Sequence, residues 1–574
     1  RFVFRNGGDD WEETLMRDPM TESIVSGMMS CGYMAYTPSS LFLNGDYWGI
    51  HNIREKFNKT YFFENYAVDP NNIDHLEYGS TPDGTQLLVV EGDLSHYEMM
   101  INFITSNDLN DPENYSQLAQ WMNIDSFIDH VIITLYCANT SWGHNREWWR
   151  PRSVDGRWNW LIVDLDRGFN IINSYTNLLD NLKEDYELLH YLLDSELFSN
   201  RFIQRSAAHL NNTLSSTRII NIVDSLSFRI APEMDRHVIR WSNDGGISSV
   251  SDWEDELNKI KQFSLNRSST VVDHFIGEFN LDGVIELNTT VFPNNSGIIL
   301  LNGVPVIESE DAAQYFKNKP ISISALAKPG YEFVGWHNIS DSTNLIIDCS
   351  TDTNFTAVFE PSNQEFLPSI ISENMTLDNA QTYIATTDIL IPAAITLTIN
   401  AGTNIKMIQN ANLIIEGKLI INGTEQNFVT ISSYIDSEDN RWGAICFNNS
   451  VDTSSIVYTK ISGASKGFDP MFYYGAISSI NSNIIIEHTE IEDVEFPVYV
   501  KGGSVAVKSC SFSCNYICDF INVKDGNAII ENSIFYGSSA VDTDAIDFDN
   551  VQNGVILNNK IYNFIGSNSD GIDI

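Results

Sequence analysis

The chain is poor in positive charge: 33 Lys+Arg stand against 76 Asp+Glu in 574 residues, a formal net charge of -43. Such a surface repels phosphate backbones and anionic lipid, and no local basic patch offsets it, so nucleic acid is not an expected partner. Long apolar runs are lacking too. The longest, such as residues 131–137 and 298–301, fall well short of the roughly 20 residues that cross a bilayer, so no membrane span is expected in this stretch. Cysteines are few, scattered and odd in number (31, 137, 349, 446, 510, 514 and 518). None forms a CxxC or His pairing at zinc spacing, which leaves neither a zinc site nor a disulfide framework to expect. Cys510, Cys514 and Cys518, at four-residue steps, read as small buried side chains of a β-rich core. The chain opens at Arg1 inside a strand-like run, stops within a repeat, and so reads as a fragment whose ends carry no address. Strong acidity with little lysine fits a secreted or surface protein.

What is present is globular, with 43% hydrophobic and 11% aromatic residues, on a chain too long for one core. The expected class is multidomain, α+β followed by all-β. Residues 1–280 mix helical periodicity with a few strands and hold most tryptophans. Residues 281–361 turn to short alternating strands. From 362 to 574 short Ile/Val strands are separated by Asn, Gly and Asp. Ile484-Ile-Ile-Glu487, Val505-Ala-Val-Lys508, Ala528-Ile-Ile-Glu531 and Gly554-Val-Ile-Leu557 recur, each followed by a second short strand around Ile491, Phe512, Ile534 and Ile561. Repeats this short bury their apolar faces only by stacking, and inward Ile/Val with Asn at the bends suits a right-handed parallel β-helix. The pattern resembles the pectin-lyase-like repeats of bacterial surface proteins. Asp544-Ala-Ile-Asp547 and Asp570-Gly-Ile-Asp573 fall in register with the repeat. Stacked carboxylates there could hold Ca²⁺, solvated turn aspartates being the plainer reading. Lys560 is isolated, so a polysaccharide lyase or hydrolase lacks its base. In the middle segment, Lys328-Pro-Gly-Tyr-Glu-Phe-Val-Gly-Trp336 resembles a small β-grasp-like spacer repeat with a packing role only.

Residues 122–170 are where chemistry is to be sought. Ile124, Phe127, Ile128, Val131, Ile132, Leu135 and Tyr136 follow helical spacing. A polar loop follows, Asn139-Thr-Ser-Trp-Gly-His-Asn145. Two aromatic strands then turn through Asp155-Gly156, and the second runs into Asp164-Leu-Asp-Arg-Gly-Phe169. On a strand, carboxylates at i and i+2 point to one side, so Asp164 and Asp166 are expected to share a cleft. Helix, amide-bearing loop, hairpin, then carboxylates before a glycine is the order of parts in the catalytic half of protein kinases. Trp48, Trp142, Trp148, Trp149, Trp158 and Trp160 read as core, with a sugar-stacking platform as the alternative.

Residues 1–280 also resemble the spore coat protein H (CotH) kinase family of atypical protein kinases. The matching pieces are Arg5-Asn-Gly-Gly-Asp-Asp-Trp11, the hairpin Leu41 to Lys56, the 139–145 loop, Trp160 to Phe169, and the tail motifs around Arg201, Arg205, His237, Arg240, Trp241 and Trp253. The resemblance implies an atypical protein-kinase-like fold and phosphate transfer from ATP to a protein Ser/Thr hydroxyl with Mg²⁺ or Mn²⁺. It implies that Asn145, Asp164 and Asp166 hold the metal and that Glu55, with Lys56 beside it, serves the nucleotide. Ser141 stands where the family usually has its catalytic Asp, a weaker proton acceptor without charge. His144 is the neighbouring group able to replace it. The family's basic, nucleotide-gripping strands should precede Arg1, and carboxylates without such a cation would repel a triphosphate. Two functions follow: an extracellular or bacterial cell-surface kinase carried on a β-helix, or a pseudokinase scaffold in an adhesin whose β-helix meets polysaccharide or cell-surface glycan.

Overall fold

The computed structural model describes residues 2–574 apart from 67, 69, 83, 153–155, 307–312, 438–439 and 468–473, and only the backbone of Ser80 and Thr81. Arg1 and the Asp155 half of the expected turn therefore lie outside the described residues. The chain divides into two compact units, one of residues 1–61, 73–327 and 333–360, the other of 62–72, 328–332 and 361–574.

The first unit begins with β1 (Val3–Arg5), α1 (Arg17–Val25), β2 (Tyr36–Leu43) and β3 (Asp46–Arg54). β2 and β3 form the hairpin the sequence predicts. Its turn residues Asn44 and Gly45 both have positive φ, 52° and 93°, the backbone that keeps the turn in step with strand twist. β1 pairs antiparallel with β3, with Arg5 opposite Asn52. After α2 (Lys59–Tyr66), a second sheet in the order β5-β4-β6-β7 is built from β4 (Ile73–Thr81), β5 (Gly84–Glu91), β6 (Arg146–Pro151) and β7 (Asn159–Leu161). Between β5 and β6 lie α3 (Ser95–Ser106), α4 (Pro112–Trp121) and α5 (Ile124–Cys137). Helices α6 (Leu178–Asp185), α7 (Glu187–Leu193), α8 (Glu196–Asn211), α9 (Ser216–Trp241) and α10 (Val250–Phe279) follow.

The apolar spacing predicts a one-faced α5, yet every residue of the helix but Asp125 is buried. Its polar residues are compensated in place. Asp129 takes two bonds from Arg205 of α8, at 2.6 and 2.7 Å, and one from His209 Nε2 at 2.9 Å. Arg201 grips Asp125 in the same two-pronged way, so the tail motif seen in the sequence is the clamp of α8 on α5. His130 Nδ1 lies 3.1 Å from the Leu161 carbonyl of β7. Trp148, Trp149, Trp158 and Trp160 are at most 2% exposed, which closes the stacking-platform alternative for those four.

The unit continues into two four-stranded sheets, the first with strands Gly297–Leu301 and Pro320–Ala327 at its centre, the second with strands Val284–Phe292 and Thr353–Pro361. A grasp fold needs a helix across its sheet, and among the described residues of 281–361 there are strands alone. Trp336 is buried among Phe333 and Phe355, its Nε1–H bonded to the Ser342 carbonyl at 3.0 Å, so this aromatic motif packs.

Residues 361–574 form three parallel sheets of nine, eight and seven strands, neighbouring strands coming from successive repeats. This is the stacked-rung arrangement of a β-helix. The repeats align as their spacing predicts: Ile484 pairs with Val505, Val505 with Ala528, and Ala528 with Gly554. One position differs. Phe512 pairs with Phe535 rather than Ile534, and the two rings stack at 5.0 Å, because the larger ring takes the buried register. Asn449, Asn481, Asp525 and Asn550 all have positive φ at equivalent corners, with Gly502 at the corner between Asn481 and Asp525; their short polar side chains tolerate the left-handed backbone.

Candidate functional site

The loop after α5 is fixed from both ends. Arg267 of α10 donates to the carbonyls of Tyr136 and Leu135 at 2.8 and 2.6 Å, satisfying acceptors that a helix end leaves open. Ala138 then ends the helix in left-handed backbone, φ 52°. Asn139 Oδ1 accepts the Ser141 N–H at 3.1 Å, turning the chain into the loop. Phe169 N–H returns to the Cys137 carbonyl at 2.8 Å, which ties the segment after Asp166 to the same helix end.

Asp164 and Asp166 do not lie on a strand, contrary to the strand-pleat expectation. β7 stops at Leu161, and Asp164 has φ 53°. They converge because the chain kinks into a sparsely populated backbone region, a strain the surrounding contacts must hold. The central contact is Asp18 of α1, 3% exposed, whose carboxylate accepts the Leu165 N–H at 2.9 Å between the two aspartates. Asp18 also takes Arg5 Nη1 at 2.9 Å and Arg54 Nη1. Arg54 bonds Glu22 as well, closing a buried charge group over α1, β1 and β3.

Five of the nominated residues, joined through Arg5, form one chain of contacts. His144 Nε2 lies 3.2 Å from Ser141 Oγ, which accepts from Asn145 Nδ2 at 3.3 Å. The same Nδ2 donates to Asp164 Oδ2 at 3.0 Å. Arg5 Nη2 then bonds Asp164 and reaches Asp166 Oδ2 at 2.9 Å. Burial, with Asp164 close by, pushes Asp166 up to about 6, against the pull of the Asp9 N–H and Arg5. Asp164 and Asp18, acting against burial, hold Arg5 firmly charged.

Glu55 and Lys56 lie elsewhere in the described contacts. Glu55 Oε2 accepts the Ala35 N–H at 2.8 Å and Lys56 is exposed, its charge felt by Glu77 of β4. The residue that sequence reasoning passed over is Arg5. The missing cation was sought before Arg1, whereas a cation at the carboxylates is already supplied by the Arg5-Asn-Gly-Gly-Asp-Asp-Trp11 motif. Each part of that motif has a task. Gly8, at φ 65°, is packed so closely that an added Cβ would collide with the Asp166 carboxylate. Asp9 N–H donates to Asp166 Oδ2 at 2.9 Å. Buried Asp10 accepts the N–H groups of Thr14, Met16 and Arg17, opening α1. Trp11 packs against His237 and Trp241 of α9, which themselves bond Ile50 N and the Trp48 carbonyl of the hairpin. The signal for Arg5 was its place ahead of two glycines and two aspartates.

The oxygens of Asp164 and Asp166 and the amide of Asn145 are hard donors that fit a divalent ion, and a cation, the Arg5 guanidinium, already lies between the carboxylates. Among the described residues no group of three or more His, Cys, Asp or Glu side chains is disposed to hold a metal, so the amide would be needed as third ligand. On the β-helix, Asp547 aligns with Asp573, while Asp544 Oδ1 takes the Asp570 N–H at 2.5 Å. Burial, then Asp519 and other neighbouring carboxylates, push Asp544 up to about 6 and Asp547 to about 7.

The first unit thus carries a mixed helix-and-sheet domain with a cluster of polar side chains around the Arg5 guanidinium, near the end of its buried helix. Residues 1–271 match the family described as CotH kinase protein, so this part of the chain is a CotH kinase family domain. No curated protein matches the chain.

Proposed function

We propose that the CotH kinase domain transfers a phosphoryl group from a nucleoside triphosphate to a Ser or Thr hydroxyl of a protein outside the bacterial cell or on its surface. The unbroken line of contacts from His144 through Ser141, Asn145, Asp164 and Arg5 to Asp166 carries this reading. Asn145, Asp164 and Asp166 would hold Mg²⁺ or Mn²⁺, which would neutralise phosphate charge. Arg5 adds a fixed positive charge beside them and offsets the repulsion between carboxylates and phosphates. His144 takes the proton of the acceptor hydroxyl in place of the usual Asp, and Ser141 holds its ring through the Nε2 contact.

Labelled phosphate transfer tests this. Full-length protein with ATP and Mn²⁺ or Mg²⁺ should label a protein acceptor, and Asp164→Ala with Asp166→Ala should abolish the label. His144→Gln should lower kcat far more than KM. Label retained by the double variant would overturn the metal assignment.

A second reading is favoured by one observation: the Arg5 guanidinium pairs with both carboxylates. A scaffold without turnover would keep this arrangement. Inert wild type that gains transfer on Ser141→Asp would identify a pseudokinase.

A further inference from the structure

In the seven-stranded sheet of the β-helix, one register row runs Ser478, Tyr499, Asn522, Asp547, and Asp547 meets Asp573 beyond it. Rows of like register point to one face, so this row presents a polar and aromatic stripe on the outside of the sheet. Over it lies a cavity of about 310 Å³ lined by Tyr474, Phe496, Val498, Tyr499, Asp519, Asn522 and Lys524. The aromatic rings are arranged as a corner: Tyr474 lies 4.4 Å from Phe496 and 6.0 Å from Tyr499, between ring centres.

The polar wall is built and incomplete. Asn522 is only 7% exposed. Its Nδ2 bridges two carboxylates, Asp519 Oδ2 at 3.1 Å and Asp547 Oδ2, which fixes the amide's orientation. Its Oδ1 is buried and accepts no hydrogen bond. Lys524 stands at the rim, paired with Asp549 at 2.8 Å.

We propose that this cavity binds a neutral saccharide. A pyranose has apolar C–H faces suited to the Tyr474 and Tyr499 rings. Its hydroxyls can both donate to Asp519 and accept from Lys524, which is the mixed set this wall offers. The size lies at the small end of the roughly 300–1,000 Å³ of ligand sites, room for one ring or a short stretch of chain. Charge selects the class of sugar. Asp519, Asp547, Asp549 and Asp573 outnumber Lys524 and Lys466, whose Nζ lies 5.5 Å from the Tyr474 ring centre, so a uronate or sulfated sugar is disfavoured. This site is independent of the phosphoryl-transfer reading. Lys524, and not Lys560, is the basic residue at the acidic rungs that the sequence did not reveal.

The test is calorimetric titration of the full chain with neutral gluco-, manno-, xylo- and galacto-oligosaccharides and with oligogalacturonate. Saturable binding of at least one neutral oligosaccharide is expected, weaker by about tenfold or more in Tyr474→Ala, which loses a stacking contact, and in Asn522→Leu, which frees Asp519 from the amide that holds it. Asn522→Leu removes a buried polar group, so Tyr474→Ala, at a partly exposed site, serves as the variant least able to disturb folding. No binding by any neutral sugar, preference for oligogalacturonate, or binding that ignores both substitutions would overturn the proposal.

Discussion

Removing the Asp18 carboxylate is the sharpest perturbation of the domain. Three donors converge on it: the Leu165 N–H at 2.9 Å, Arg5 Nη1 at 2.9 Å and Arg54 Nη1. Arg54 and Asp18 are 2% and 3% exposed, so water cannot replace the lost partner. Breaking a buried ion pair from one side costs about 3–5 kcal/mol. Arg54 retains Glu22, and Arg5 retains Asp164 and Asp166, which places the cost near the lower end. At about 2–4 °C per kcal/mol for a domain of this size, Asp18→Ala should lower the Tm of the CotH domain transition by about 6–12 °C in scanning calorimetry. Asp18→Asn keeps an acceptor for Leu165 N–H but not the charge, and should fall between. Since Leu165 links the two aspartates, both variants should also lose phosphate transfer by more than their stability loss accounts for. A shift of under about 1 °C for Asp18→Ala would refute the reasoning, because a buried carboxylate with three donors cannot be silent.

Other expectations follow from the same contacts. Burial, with Arg146 nearby, holds the His130 ring down at about 4 rather than 6.5, so the unfolded chain takes up its proton first. Stability from this residue is therefore whole above pH 6.5 and falls by about 3 kcal/mol as pH drops to 4, a slope that His130→Asn should flatten in denaturant titrations. An unchanged slope would show that the ring is not buried neutral. Gly8→Ala should cost about 1–3 kcal/mol through its left-handed backbone, and should abolish transfer by displacing Asp166; full activity would contradict the packing. In the β-helix, fully buried Ile486 stacks between Ile456 and Val507. Ile486→Ala should destabilise by about 2–5 kcal/mol in chemical unfolding, and a loss under 1 kcal/mol would argue against the stacked register.

Periodicity made the larger architecture legible. The second unit's rungs align at the residues whose recurrence marked them, since stacking repeats must place equivalent side chains in one column. The Asn44-Gly45 turn was legible for a similar reason, as its two positive φ values demand those residues. What could not be read was anything set by long-range convergence. Asp164 and Asp166 were assigned to a strand because Leu161-Ile-Val163 continues a strand-like pattern, but Asp18, far earlier in the chain, takes the Leu165 N–H and diverts the backbone. Arg5 was visible in a motif yet had no role, because its partners lie some 160 residues away. The cavity around Asn522 was hidden for the same reason. Tyr499, Asn522 and Asp547 become neighbours only through rung register.

The central claim, that Asn145, Asp164 and Asp166 form a divalent-cation site serving a nucleotide, is tested most directly by anomalous diffraction from crystals grown with Mn²⁺ and a non-hydrolysable ATP analogue. A manganese peak bonded to oxygens of all three side chains, with Arg5 turned onto a phosphate, is the predicted result. Well-ordered crystals at saturating Mn²⁺ and nucleotide that show no peak there, with the Arg5 guanidinium still between Asp164 and Asp166, would contradict it.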